Sequence, residues 1–200
     1  DAPADMTNGT TWDDALPPHE GANYIVQPGG NLRSPINESS TFNGESLTVE
    51  PGGKFQVCAL QSGNQTTSIP HLILSGGASF AAGEFAELAA GTGTGAINVI
   101  NGKMINSGSS RLVTYGDSIN RGLEILSQVD GDGNRRAGGG GTVTINNAAN
   151  AFAGTWQVDS ASILQFSNGE AVGAANVEVL AGGTLKLLES GTISGSLMVA

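Results

Sequence analysis

Apolar and polar residues alternate along this chain in short runs, and glycine pairs punctuate the runs. The stretch SLTVEPGGKFQV, Ser46 to Val57, shows the pattern. Leu47 and Val49 fall on one side of an extended chain, Thr48 and Glu50 on the other. After Gly52-Gly53, Phe55 and Val57 return to the first side. Period-two alternation marks a half-buried strand, and a glycine pair marks a tight turn. The stretch therefore predicts strand, turn, strand. Leu47, Val49, Phe55 and Val57 are expected inside, and Thr48, Glu50, Lys54 and Gln56 exposed.

The unit recurs. YIVQPGGNLRS carries Tyr24, Val26 and Leu32 around Gly29-Gly30, and NVEVLAGGTLKL carries Val177, Val179, Leu185 and Leu187 around Gly182-Gly183. HLILSGGASF around Gly76-Gly77 is a copy with shifted spacing, and INVINGKMI around Gly102 a looser one. The steps from Gly29 to Gly52, Gly76 and Gly102 are 23, 24 and 26 residues. The remaining 80 residues to Gly182 hold further strand candidates: RLVTY, LEILSQV, TVTIN, TWQVD and ILQF. A strand–turn unit with a period in the twenties is a solenoid signature.

Each unit buries too few side chains to offset its ordering, whereas stacked units merge them into one core. Stacking also satisfies backbone groups at about 4.8 Å per rung, and glycine pairs are expected to supply positive φ at the corners. An antiparallel sandwich is the competitor; it predicts turn signals without the longer period. FAAGEFAELAAG, Phe80 to Gly91, alone has helix-like composition. The expected fold is thus all-β: a single-stranded parallel β-helix, right-handed by the general rule for parallel crossovers. About seven coils over residues 23–200 would make a rod about 35 Å long.

Residues 1–22 lack alternation and hold three of the seven prolines. They predict a cap over the first coil, with Trp12 and Leu16 as its packing residues. The opposite end, TISGSLMVA, stops in a strand with Leu197 and Val199 on one side. An uncapped strand recruits a partner. This end is expected either to continue into further coils of the same polypeptide or to stack head-to-tail on another copy, which builds filaments rather than rings.

Composition narrows the partners. Glycine numbers 31 of 200 residues, and charged residues are 13%. The formal charge of −10 argues against nucleic acid and against an anionic membrane surface. No apolar run reaches the length of a membrane span, and no signal peptide is visible. The start DAPADM is either a mature terminus left by cleavage or an artificial boundary. Cys58 is the single cysteine, so no internal disulfide forms; at a strand end it predicts a small core residue.

GTVTINNAANAFAGTWQVDSASILQFSNGEAVGAANVEVLAGGTLKL, Gly141 to Leu187, resembles the passenger-associated repeats of bacterial autotransporters and related surface β-helix proteins. The likeness lies in Gly141-Thr142, the turn Asn146-Asn147, Phe152-Ala153-Gly154, the strand Thr155 to Val158, and Ala181 to Leu185. NGTTWDDALPPHEGANYIVQPGGNLRSP is similar to the start of many such proteins. The resemblance implies a secreted or surface-exposed bacterial stalk. No set of alternating segments with aromatic girdles follows, so a transmembrane barrel of the autotransporter kind is not part of this sequence.

DGDGN, Asp130 to Asn134, is the sharpest motif for chemistry. Oxygen-bearing side chains separated by glycines wrap a hard cation, which makes Asp130, Asp132 and Asn134 the candidate metal ligands and calcium the candidate ion. An EF-hand loop would place glutamate where Gly141 stands, and Arg135-Arg136 follow directly. The other reading is a flexible, solvated loop with both arginines in water. RRAGGGG lacks the Lys-Ser/Thr pair of a phosphate loop. His19 and His71 have no neighbouring nucleophile motif, and the outward carboxylates Glu50 and Glu178 lie several coils apart. Asn8, Asn37 and Asn64 match glycosylation acceptors, a pattern that arises by chance in so Asn-, Ser- and Thr-rich a chain. Phe55, Phe80, Phe152 and Phe166 are expected to point inward, which leaves few aromatics for a sugar-binding face. The expectation is a non-enzymatic extracellular structural or adhesive surface protein of a bacterium, able to associate end to end. A carbohydrate-binding or polysaccharide-degrading β-helix, with host or matrix glycans as partners, is the alternative.

Overall fold

A computed structural model describes residues 2–58, 63–90, 96–114 and 122–200. The chain enters with β1 (Ala4–Asp5), then β2 (Asn23–Val26) and β3 (Asn31–Arg33). It continues through β4 (Ser40–Thr41), β5 (Ser46–Val49), β6 (Lys54–Val57), β7 (Gly63–Ser75), β8 (Ala86–Ala90), β9 (Ala96–Ser107) and β10 (Ser109–Val113). β11 (Gly122–Ile125), β12 (Gln128–Gly131), β13 (Asn134–Gly138), β14 (Thr142–Ile145), β15 (Thr155–Val158) and β16 (Ile163–Phe166) follow. β17 (Asn176–Val179), β18 (Thr184–Leu187) and β19 (Leu197–Val199) complete the chain.

Among the described residues every pairing is parallel and non-consecutive, which rules out the antiparallel sandwich. The result is a β-solenoid of about seven turns. One nine-stranded sheet, wall A, runs β1-β3-β6-β8-β10-β13-β15-β17-β19. The ten-stranded second sheet divides where the long strands β7 and β9 turn. Wall B stacks β2, β5, the second halves of β7 and β9, and β12. Wall C stacks β4, the first halves of β7 and β9, then β11, β14, β16 and β18. The turn falls where register shifts between Ile69 and His71, opposite Gly102. Exposed Pro70 sits in that irregularity, where a residue without an N–H leaves no ladder bond unmade.

Register lines the inward residues into columns. On wall A, Leu32, Phe55, Leu88, Leu112, Ala137, Val158 and Val179 stack in successive turns. Each is buried, as are Leu47, Val49 and Val57. Full burial of such side chains contributes about 1.5–3 kcal/mol apiece. Cys58 is buried as expected, and burial raises its thiol above its ordinary pKa.

Several expectations are corrected. Thr48, Glu50, Lys54 and Gln56 face outward but are half-buried, because the rungs above and below cover their flanks. Phe80 to Gly91 contains no helix among its described residues; a turn leads into β8. The Gly76-Gly77 copy has no strand after its glycines, so Phe80 stays outside the core while Phe55, Phe152 and Phe166 are buried. In the cap, Trp12 packs on Tyr24 with ring centroids 4.6 Å apart, whereas Leu16 is exposed. At the other end, Leu197, Met198 and Val199 are 51%, 52% and 73% exposed.

Candidate functional site

The DGDGN motif forms the corner between β12 on wall B and β13 on wall A. Gly131 and Gly133 have φ of 91° and 81°. An added Cβ at either would strike the carbonyls of Asn106 and Gly108 in the turn below. The glycines are therefore required by the corner itself. Asp130 accepts from the Gly131 N–H at 2.7 Å and lies 3.3 Å from the Lys103 ammonium. These two contacts, the backbone one foremost, hold its carboxyl below the usual range. The Asp132 side chain is exposed, and its carbonyl accepts from the Asn106 amide. Asn134 opens β13, half-buried, with its N–H on the Gly108 carbonyl. Among the described residues no group of three His, Cys, Asp or Glu side chains converges to hold a metal.

The following Arg135 is fully buried, which corrects the expectation of a solvated side chain. Its inward column reads Ala86, Ser110, Arg135, Trp156. The small side chains below leave room that the arginine fills. Its guanidinium donates to the Met104 sulfur at 3.0 Å, and lies 5.3 and 5.5 Å from the Phe152 and Trp156 rings. Nε and Nη2 have no hydrogen-bond partner. Burial pushes its pKa down to about 9. The clue in the sequence was the alternation itself: continued inward register along NRRAG places Arg135 and Ala137 inside.

Arg136 is half-buried and belongs to the outward column of wall A. That column reads Lys54, Glu87, Arg111, Arg136, Gln157, Glu178. Lys54 meets Glu87 at 2.9 Å, Arg136 meets Gln157 at 3.1 Å, and Gln157 donates to Glu178 at 2.5 Å. Asp159 lies between Arg111 and Arg136 at 3.5 and 3.9 Å, and the Phe80 ring lies 4.0 Å from the Arg136 guanidinium. The histidines are engaged elsewhere. His19 Nδ1 is 3.0 Å from the Tyr24 hydroxyl, and His71 Nδ1 is 3.2 Å from the Glu45 carbonyl. Asn8 caps a short 3-10 turn, and Asn37 sits at φ 58° in a turn.

A cleft of about 470 Å³ opens at the N-terminal end, between the cap and β2. Trp12, Asp13 and Asp14 line its cap side, and β2 and Asn31 are among the residues that line the opposite side. Sequence reasoning missed it, because its walls meet only through the path of the cap. No family model, no curated protein and no solved structure matches the chain.

Proposed function

We propose that this protein is a non-enzymatic structural or adhesive component of a bacterial surface, a rod that associates end to end. The observation that supports this reading is the outward column of wall A. Its charged and amide groups bond from rung to rung, Lys54 to Glu87 and Arg136 through Gln157 to Glu178, stiffening the stack along its axis. Such a wall contributes rigidity rather than a reacting group. The resemblance of Gly141 to Leu187 to autotransporter-passenger repeats agrees with a surface location. The exposed Leu197, Met198 and Val199 on the outermost strand of wall A provide an edge for a further rung, from the same polypeptide or from another copy.

Sedimentation of the 200-residue chain across concentration, followed by electron microscopy, tests the association. The expected result is elongated particles whose mass grows with concentration, and a Val199→Asp variant that stays monomeric. A native chain that is monomeric at high concentration with its last coil folded would overturn end-to-end stacking.

A further inference from the structure

We propose that the N-terminal cleft is a docking site for an extended peptide bearing basic side chains, which adds to the free edge of β2 as the missing rung of wall B. The inference goes beyond the surface role and stands independently of it. In the turn preceding β2, wall A is filled: β1 pairs with β3 through Ala4↔Leu32 and Asp5↔Arg33. The cap then crosses without leaving a strand on wall B, so β2 ends its sheet. The cleft lies along that edge.

The backbone geometry there is set by alternation. The carbonyls of Ala22 and Val26 accept from Glu45 and Glu50 in the next turn. Even-numbered residues thus turn their groups inward along the stack, and the N–H and C=O of Ile25 face the open edge. A strand added there makes main-chain bonds of the kind every internal rung makes. The Asn31 carboxamide oxygen, a second cleft-lining group, is buried with no hydrogen-bond partner. An incoming donor would satisfy it.

Charge selects the occupant. Asp13 and Asp14 line the mouth, no cationic side chain lines the cleft among the described residues, and the chain carries −10 overall. Basic side chains on a peptide are drawn to such a mouth. A sugar fits less well. Tyr24 is buried, and the Trp12 ring is packed against Tyr24 at 4.6 Å between centroids, so two free ring faces are not presented.

The probe is an end-blocked, fluorescein-labelled Lys-Val-Thr-Val-Lys peptide, titrated by anisotropy against the whole chain at low and high salt. Binding is expected, weakened by salt and by Asp13→Asn with Asp14→Asn. Methylating the alternate peptide nitrogens that face β2 is expected to weaken it about tenfold. Ile25→Pro, which removes the outward N–H of an edge strand, is expected to do the same while leaving the melting curve in place. The peptide arm stands even if that variant misfolds. No binding, equal binding of the N-methylated peptide or of Glu-Val-Thr-Val-Glu, or capture of chitohexaose in the cleft instead of peptide would each overturn the assignment. So would a longer native chain whose preceding residues pair with β2.

Discussion

Arg135 shows how a single residue can oppose the rest of its column. A buried charge without a carboxylate partner is destabilising, and only aromatic faces and a sulfur offset it here. Arg135→Met keeps the length and removes the charge. It is expected to raise stability by about 1–3 kcal/mol in denaturant titration at neutral pH. The pH dependence has a definite sign. The folded-state pKa is depressed to about 9, so between there and the ordinary arginine value the unfolded chain binds more protons. The stability of the native chain relative to the variant should therefore rise as pH climbs above about 9. A variant less stable than the native chain at pH 7 would show that the guanidinium is a net stabiliser. The glycine pairs divide their labour at the same scale. Gly29, Gly52 and Gly182 have φ of 77°, 78° and 81°. Their partners Gly30, Gly53 and Gly183 do not; each is required because a Cβ would stand 2.8 Å from a carbonyl oxygen.

Among elements, the informative one is the segment that replaces wall B beyond β12. Between β14 and β15 no strand forms; residues 150–153 lie along β12 instead. Asn150 accepts from the Val129 N–H at 2.8 Å and donates to the Ala171 carbonyl at 2.7 Å. Its carboxamide thus bridges three successive turns where strand pairing has lapsed. Asn150→Ala leaves both backbone groups unpaired in a partly buried place and is expected to cost about 2–3 kcal/mol, read as a lower denaturant midpoint. A loss below about 0.5 kcal/mol would mean that water replaces the carboxamide.

At the scale of the molecule, stability should grade along the rod, because each turn contacts only its neighbours. Inward columns that are buried at Phe166, Val177 and Val179 continue into Leu187, Leu197 and Val199, which are 39%, 51% and 73% exposed. In hydrogen exchange of the isolated chain, amides of β18 and β19 are expected to exchange faster than those of β14 and β16. Uniform protection from end to end would show that the last turn is covered, by self-association or otherwise.

The alternation around the glycine pairs and the step of 23 to 26 residues determined the class of fold. Period two fixes which side chains share a face, and a recurring corner leaves stacking as the way to bury them. Leu47, Val49, Phe55 and Val57 were legible for that reason. The alternation along NRRAG also points Arg135 inward, but what surrounds each side chain was decided by tertiary structure. Half-burial of Thr48 and Gln56 comes from neighbouring rungs some twenty residues away in sequence. The room that lets Arg135 stay inside comes from the small Ala86 and Ser110 stacked below it, and the column from Lys54 to Glu178 exists only through register. The cleft beside β2 is set by where the cap crosses, and the cap has no periodicity from which its path could be read. Local pattern specifies which way a side chain faces; what it meets there is settled by turns that are remote in sequence and adjacent in space.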